Sequence, residues 1–384
     1  MSHHGYDYVK CVLPNQVKHS VVYYNSAKWA AVPANNGGNS PTWQWDNEIL
    51  IGFTVGVFKN AESGHQCDYG YPFESWTARS TDGGETWTAW KPDNYVGQPR
   101  IPLDPSGDVD FSQSGFVMRI EGTGYHGNQG PCWFYSEDRG REWRGPFSFA
   151  NLMTHPELGG KEFTSRTAYI VNGSHELYLF MTVRERRAAD RLSVALQEKA
   201  FLAQTIDGGQ TFSFASWIVP WTDPFRAAMP APVRLSKSKI VVAIRRKSPS
   251  NNWIDCYETL DNGMSWSFLS KVGDTEQGNV SNGNPPALIK LNDGRLCCAY
   301  GNRSDKRIIA KYSEDEGKTW TIGQILRNDF HSANGFPDLG YPRLFQRSDN
   351  KLVVVYFWCN ESRPQTNIEA TVFNAIDRSG KHLL

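Results

Sequence analysis

The chain has 384 residues, of which 40 are Lys or Arg and 40 are Asp or Glu, so its formal net charge is zero. This balance excludes the global basic field of a protein that binds nucleic acid or anionic lipid. No apolar run approaches the roughly 20 residues that span a bilayer. We therefore expect neither nucleic acid nor a membrane as a partner.

The composition predicts an all-β protein. Aromatic residues make up 13% of the chain, beside 34 Gly and 21 Pro, and this mixture favours many short strands joined by tight turns. The seven cysteines are scattered without a CxxC spacing, which indicates neither a disulfide framework nor a zinc site. Because the N-terminus MSHHGYDYVK lacks a basic segment followed by an apolar one, we expect a cytoplasmic location, or a secreted one if a signal sequence has been removed.

An eight-residue pattern, Ser/Thr-x-Asp-x-Gly-x-x-aromatic, occurs five times, starting at Ser80, Ser136, Thr205, Thr259 and Ser313. The intervals are 56, 69, 54 and 54 residues. In each copy the Asp side chain can accept hydrogen bonds from the turn, the Gly supplies a positive φ and the aromatic ring packs under the turn. Strand repeats of about 50 residues are typical of propellers.

A second repeat has the same period. Pro230, Pro286 and Pro342 are 56 residues apart, and each leads into a strand, a short polar turn and a second strand. A third strand follows, and in two cases the Asp-containing turn and a fourth strand, which together make a propeller blade.

Six blades of four antiparallel strands are predicted, forming one domain over residues 1–384. The first strands of five blades are expected near residues 30, 111, 166, 231 and 287. The sixth unit, from Gly340 to Ala375, supplies three strands, and its outer strand is predicted to be the N-terminal YDYVKCVLP or HSVVYY. The charged stretch from Arg184 to Ala200 is interpreted as an insertion on the rim of blade 3.

The five turns resemble the Asp-boxes, or BNR repeats, of sialidases and their relatives, which are six-bladed propellers. The resemblance extends over about residues 20 to 384. It implies a carbohydrate-active protein with its site on the face away from the Asp-boxes. In the family, three arginines bind the substrate carboxylate, a Tyr prompted by a Glu is the nucleophile, and an Asp is the acid/base.

Matched to this family, Tyr341 is the candidate nucleophile because it opens the first strand of the last blade, in DLGYPRLFQR. In the family, the substrate-binding arginines lie where the second strand of a blade ends. Arg343 is two residues past Tyr341, so its side chain is expected on the same strand face as that of Tyr341. The candidate substrate-binding arginines are Arg166, Arg184, Arg245, Arg303 and Arg343.

Two family features are absent from the sequence. The Arg-Ile-Pro motif expected before the first blade is replaced by KWAAVPANNGG, from Lys28 to Gly38, and the sequence FRAAMPAPVRL has no Glu at the start of blade 4. The loop after the second strand of blade 1 contains His65 and Asp68, where the family has its acid/base Asp. The corresponding loop of blade 2 contains Tyr125 and His126, and His is a natural proton shuttle near neutral pH. Trp45 is a candidate for stacking on a sugar ring.

Three functions follow from these residues. The first is hydrolysis of an acidic glycan, with Tyr341 as nucleophile or transition-state stabiliser and Asp68 or His65 as acid/base. The second is β-elimination on a uronate-containing glycan, with His65, Tyr341 and arginines. The third is glycan binding without chemistry. No motif for a nucleotide or a metal is present, so no cofactor is expected, and the expected ligand is an acidic oligosaccharide or polysaccharide.

Overall fold

The computed structural model describes residues 17–32, 43–92, 101–105, 107–121, 131–185, 197–278 and 281–376. Within these ranges the chain forms six antiparallel sheets, and the one helix, α1 (Ala150–Met153), is a single turn. No helix in this described part is long and apolar enough to cross a membrane.

The first three blades follow the N-terminal strand β1. The strands up to this point are β1 (Val17–Tyr23), β2 (Lys28–Ala31), β3 (Gln44–Trp45), β4 (Glu48–Val57), β5 (Glu74–Ser80), β6 (Thr88–Trp90), β7 (Val117–Glu121), β8 (Cys132–Ser136), β9 (Arg144–Ser148), β10 (Glu162–Val171), β11 (Leu177–Arg184), β12 (Glu198–Thr205) and β13 (Ser213–Trp217). Blade 1 is β2-β4-β5-β6 with β3 paired to β4, blade 2 is β7-β8-β9, and blade 3 is β10-β11-β12-β13.

The last three blades follow the same plan. Their strands are β14 (Arg226–Arg234), β15 (Ile240–Lys247), β16 (Asn251–Thr259), β17 (Ser267–Gln277), β18 (Ala287–Lys290), β19 (Leu296–Asn302), β20 (Arg307–Ser313), β21 (Gln324–Arg327), β22 (Gly340–Gln346), β23 (Leu352–Asn360) and β24 (Arg363–Phe373). Blade 4 is β14-β15-β16-β17, blade 5 is β18-β19-β20-β21, and blade 6 is β22-β23-β24-β1. The predicted six-bladed propeller is confirmed, and HSVVYY is the part of the N-terminus that completes its last blade.

Packing between blades closes the ring. Six clusters of buried apolar side chains lie between blades 6 and 1, 1 and 2, 2 and 3, 3 and 4, 4 and 5, and 5 and 6. Because every sheet is covered on both sides, the middle strands are apolar on both faces. The sequence LVVVYFWCN of β23 is buried at all nine positions.

The predicted start of blade 2 near residue 111 is wrong. Phe111 lies in a loop, where its N–H donates to the Ser174 carbonyl of blade 3 at 2.7 Å. Asp110 turns this loop by accepting from the N–H and hydroxyl of Ser112, and such local capping competes with strand pairing. Among the described residues, the strands of blade 2 begin at Val117.

The insertion predicted from Arg184 to Ala200 is the connection between β11 and β12. Arg184 ends β11 and Glu198 begins β12 in register with it. The two ends of this stretch are therefore strand, and residues 186–196 lie outside the described residues.

The five Asp-box turns have the geometry expected from their sequence. In the first, Asp82 accepts from the Ser80 hydroxyl at 2.8 Å and from the Thr86 N–H at 2.9 Å, and Ser80 Oγ accepts from the Gly84 N–H. Despite the opposing effect of burial, these bonds lower the pKa of Asp82 to about 2 because they stabilise its charged form.

Serines on outer strands join three Asp-boxes to the preceding blade. Each serine donates from Oγ to a box glycine carbonyl and accepts from the indole N–H of the box tryptophan. The three sets are Ser20 with Gly84 and Trp87, Ser216 with Gly263 and Trp266, and Ser270 with Gly317 and Trp320. Because Ser20 belongs to β1, the N-terminal strand makes the same contact as a regular outer strand.

Candidate active site

The candidate site lies on the face of the ring where β10, β14 and β22 begin, which we call the entry face. The opposite face contains the Asp-boxes together with the turns between first and second strands. For example, Arg347 in the turn after β22 contacts Gly83 and Glu85 of the first box. From Tyr341 to Gln346, β22 covers about 16 Å at the usual rise per residue, so the two faces are separate places.

A bulge at the start of β22 positions Tyr341. The register shifts between Gly340 and Arg343, and Tyr341 has φ of 51°, a left-handed conformation that is uncommon outside glycine. The start of β14 has the same irregularity, with a register shift between Ala228 and Ala231 and φ of 59° at Met229. The 56-residue repeat therefore gives both residues the same special backbone.

Asn284 holds the bulge in place. This side chain is fully buried; its Oδ1 accepts from the Tyr341 N–H at 2.8 Å and its Nδ2 donates to the Leu339 carbonyl at 3.0 Å. A Cβ on Gly340 would lie 2.0 Å from Asn284 Oδ1. Glycine at 340 is thus required both by its φ of 109° and by the close approach of Asn284.

Two of the predicted arginines meet at Tyr341. Arg245 Nη1 donates to the Tyr341 hydroxyl at 3.4 Å, and the Arg303 guanidinium lies 5.9 Å from the centre of its ring. Arg303 is fixed by Ser281 Oγ at 2.9 Å and by the Leu339 carbonyl at 3.3 Å. Both arginines are buried, so they present fixed positive charge to the phenol in a region of low dielectric.

A His–Asp pair adjoins this cluster. His65 Nδ1 is 2.7 Å from Asp338 Oδ1, and Asp338 Oδ2 accepts from the Trp29 indole at 2.8 Å and the Thr366 hydroxyl at 3.1 Å. The His65 ring also makes edge contacts with Trp29 and Phe336. With Nδ1 engaged by Asp338, the His65 side chain is 38% exposed.

The charges of the pair and of the cluster are coupled. Burial lowers the pKa of His65, but the charge and hydrogen bond of Asp338 outweigh burial and raise it above its ordinary value; Arg303 lowers it and Tyr341 raises it. Burial raises the pKa of Asp338, but His65, Trp29 and Arg303 hold it below its ordinary value. The pair therefore favours a protonated imidazole beside an ionised carboxylate.

The remaining predicted residues are not brought to Tyr341 by their described contacts. Asp68 accepts from the Gly70 N–H at 2.9 Å and lies 3.8 Å from Lys59. Arg184 pairs with Glu162 at 2.7 Å at the start of blade 3. Arg343 is buried, which lowers its pKa to about 9, and donates to the Pro342 carbonyl at 2.9 Å. The alternation that predicted one face for Tyr341 and Arg343 is interrupted by the bulge.

Trp45 lies on the Asp-box face. Its indole donates to the Ser114 carbonyl and its ring packs under the guanidinium of Arg139, which belongs to the second Asp-box. These contacts place Trp45 beside the second Asp-box rather than at Tyr341, and its role in stacking on a sugar ring stays a prediction. Tyr125, His126 and the side chain of Arg166 lie outside the described residues.

Sequence reasoning missed Asp338 and Asn284. Asp338 and Tyr341 belong to one short segment, PDLGY, whose Leu339 carbonyl also accepts from Arg303 and Asn284. An Asp three residues before the candidate nucleophile was a signal in the sequence. The buried role of Asn284 had no such signal, because a Gly-Asn-Pro-Pro segment reads as an ordinary loop. In the described part of the chain, no group of three or more His, Cys, Asp or Glu could hold a metal ion.

Comparisons with known proteins agree with this fold. The BNR/Asp-box repeat model matches residues 78–89, which include the first box. No curated protein matches the chain in sequence.

Three solved structures are similar in fold. The Hadza microbial sialidase Hz136 has a TM-score of 0.55 at 16% identity, over 89% of this chain and 65% of that chain, so this chain spans just under two thirds of its length. The Penicillium chrysogenum alpha-L-arabinanase, complexed with arabinobiose, has a TM-score of 0.52 at 12% identity, over 88% and 97%. The NanB sialidase from Streptococcus pneumoniae has a TM-score of 0.51 at 12% identity, over 92% and 68%.

This chain forms a six-bladed propeller with Asp-box turns, and it shares this fold with these structures. Its structural neighbours are glycoside hydrolases of two kinds, sialidases and an arabinanase. At such low identity the likeness establishes the fold, and the activity has to be argued from the residues of the site.

Proposed function

We propose that the protein is a glycoside hydrolase that acts on a carboxylate-bearing glycan at the entry face. The observation that carries this proposal is the Tyr341 hydroxyl within 3.4 Å of Arg245 Nη1, in one site with the His65–Asp338 pair. A phenol flanked by guanidinium groups combines a nucleophilic oxygen with charges that attract an acidic sugar. A neutral phenol also approaches an anomeric centre that bears a carboxylate more easily than an anionic Asp or Glu does.

In this mechanism the two arginines bind the substrate carboxylate, to which planar guanidinium groups are well matched. Tyr341 Oη gives its proton to solvent water and forms a bond to the anomeric carbon, while Arg245 stabilises the negative charge that develops on the oxygen; when the Tyr341–sugar bond is later cleaved, the phenolate takes a proton back from solvent. His65, protonated beside Asp338, gives its Nε2 proton to the leaving oxygen as the glycosidic bond breaks. The neutral imidazole then takes a proton from the water that cleaves the Tyr341–sugar bond.

His65 replaces Asp68 as the acid/base in this proposal. The Asp68 carboxylate is turned toward its own loop and Lys59, whereas His65 is coupled in charge to both Tyr341 and Arg303. A proton donor is most effective when its pKa is near the operating pH. The raised pKa of His65 meets this condition.

β-Elimination on a uronate is the second candidate, and Met229 favours it. The family's Glu is expected at the start of blade 4, where Met229 occupies the matching bulge and packs against Tyr341. In elimination, Tyr341 or His65 removes the C5 proton and the other protonates the leaving oxygen. The arginines neutralise the carboxylate as the enolate forms.

Product analysis separates the candidates. The enzyme is incubated with sialosides and with uronate-containing oligosaccharides, and the products are followed by ultraviolet absorbance and by reducing-end assay. Hydrolysis yields reducing ends without new absorbance, and elimination yields a C4=C5 double bond that absorbs in the ultraviolet. If neither product forms while the acidic glycan still binds, the protein is a glycan-binding propeller and the hydrolase proposal is wrong.

A further inference from the structure

Two further cations share a sheet face with Arg245. Arg245 and Lys247 are two residues apart on β15, so their side chains project to the same side. Arg226 on β14 is the direct cross-strand partner of Lys247, and Ala228 is the partner of Arg245. Cross-strand partners project to the same face. Arg226, Arg245 and Lys247 therefore form one cationic face that extends from Tyr341 toward blade 5.

One exposed amide oxygen serves both outer cations. Asn282 Oδ1 accepts from Lys247 Nζ at 2.7 Å and from Arg226 Nη1 at 3.4 Å, and the Ser281 carbonyl lies 3.4 Å from Lys247 Nζ. Ser281 also accepts from Arg303 through its hydroxyl. A single residue thus links these cations to the Tyr341 cluster, which places the two groups of cations next to each other.

The neighbouring carboxylates already have partners. Glu198 pairs with Arg226 Nε. Glu276 accepts from the N–H groups of Ser281 and Gly283 at 2.7 and 3.1 Å and from Asn252 Nδ2 at 2.8 Å, so it serves as the anchor of the loop.

The free energy of this face is raised by like charges. Burial lowers the pKa of Lys247 to about 8, with further lowering from Arg226 and Arg245 that Glu276 and Glu198 oppose. A bound anion would stabilise the charged lysine and relieve the repulsion among the three cations.

We propose that Lys247 and Arg226 form a second anion subsite, which takes a carboxylate or sulfate on the sugar next to the one at Tyr341. The proposal rests on the proposed function, because the first sugar is placed by Arg245 and Arg303. It extends that function to a polyanionic glycan, with acidic groups on successive units. The exposed Asn282 side chain is the group that the anion displaces from the two cations.

The test measures anion binding without catalysis. In the Tyr341→Phe background, inorganic sulfate and acetate are titrated by calorimetry near pH 7. Lys247→Gln is expected to weaken binding of the preferred anion about 10-fold, as expected for loss of a charge-assisted hydrogen bond. Lys318→Gln, which removes an exposed lysine from the Asp-box face, is the matched control and is expected to leave binding unchanged. Comparison of the two anions distinguishes a sulfate subsite from a carboxylate subsite.

Lys247→Arg gives a second readout that a merely structural role would not move. Sulfate affinity is expected to fall in the parent protein from pH 7 to pH 9, as Lys247 loses its proton. The charged groups that face it are Arg226, Arg245, Glu198 and Glu276. Lys247→Arg is expected to retain sulfate binding and to remove this pH dependence.

Arg303→Met separates the two proposals, because it removes a cation of the Tyr341 cluster. If sulfate binding depends on Arg303 and is unchanged by Lys247→Gln, the second subsite does not exist and the proposed function still stands. Absence of sulfate and acetate binding at millimolar concentration also overturns the subsite. If Lys247-dependent binding persists in a protein without glycosidase or lyase activity, the subsite stands and the proposed function fails.

Discussion

The Asp-box face and the entry face are built by opposite means from the same strands. On the Asp-box face, each turn satisfies its own polar groups: five carboxylates accept from their own turns, and the positive-φ positions hold glycines such as Gly84 together with Arg139, Asn262 and Glu316. On the entry face, Tyr341 and Met229 occupy left-handed backbone that glycine would adopt more easily. Buried arginines there are gathered around a phenol.

The two faces hold their left-handed residues in different ways: the Asp-box turns do so through their own local hydrogen bonds, and the start of β22 does so through contacts with a residue of another blade. A residue in sparsely populated backbone persists when its surroundings determine its conformation, and such residues cluster at functional sites. Here the surroundings of Tyr341 are Asn284 and the Leu339 carbonyl. The Asp-box turns stabilise the ring, and the stable ring maintains the unfavourable left-handed backbone at Tyr341.

The largest expected effect is on the ring itself. Deleting residues 1–24 removes β1, which pairs with β24 from Val17 to Tyr23 and contributes Ser20 to the first Asp-box. We expect the free energy of unfolding to fall by several kcal/mol, since an outer strand and its apolar contacts are removed. The alternative result that fits is a thermal melt that is no longer cooperative. An unchanged melting temperature would show that β1 does not close the ring.

Next in size is the effect of Tyr341→Phe on rate. Loss of a nucleophile or proton donor is expected to lower kcat/KM at least about 100-fold, or roughly 2.7 kcal/mol of barrier. Stability is expected to change by about 1 kcal/mol or less, because the substitution removes only the hydroxyl oxygen and the packing of the ring is kept. Parallel melts and assays on the same preparation check both numbers. Near-full activity would show that Tyr341 lines the site but takes no part in the reaction.

The third prediction concerns pH. Asp338 raises the pKa of His65 and burial lowers it, so Asp338→Asn is expected to lower that pKa. If His65 is the acid, activity falls as pH rises through its pKa, and the alkaline limb of the kcat/KM profile moves to lower pH in the variant. His65→Gln is the control, since it should remove this limb. If the alkaline limb of the kcat/KM profile does not move in Asp338→Asn, a group other than His65 is the acid.

Folding stability gives an independent check of the same pair. Because the folded pKa of His65 is raised, its contribution to stability is present below the ordinary histidine value near 6.5 and is lost as pH rises through the raised value. The Asp338→Asn variant is expected to lack this dependence in denaturant titrations from pH 5 to pH 8.

The smallest expected effects are on the Asp-box face. Ser216→Ala and Ser270→Ala each remove hydrogen bonds to the next blade, and we expect each to lower the free energy of unfolding by about 1 kcal/mol. Activity is expected to stay unchanged, because both serines are remote from Tyr341. A loss of activity at constant stability would show that the two faces are coupled.

Tyr341 shows how much of the site the sequence predicts. The 56-residue repeat placed it at the start of an inner strand, and the structure gives Tyr341 and Met229 the same bulge. The same reasoning placed Arg343 on the strand face of Tyr341. That prediction assumed regular alternation along the strand and did not include the bulge. Arg245 and Arg303 were found at the ends of second strands, but their contact with Tyr341 depends on three blades meeting.

The sequence by itself determined the ring: the Asp-box turns and the strand periods are local patterns whose physics acts within a few residues or along one strand. The choice of HSVVYY over YDYVKCVLP as the strand that completes the last blade came from the structure. Only the tertiary structure decided the site. His65 and Asp338 are 273 residues apart, and Asn284 reaches Tyr341 from another blade. Trp45 and Trp29 both belong to the sheet of blade 1, yet one lies beside an Asp-box and the other binds Asp338. Such contacts depend on how six sheets are arranged around one axis, and no local pattern encodes which side chains meet there.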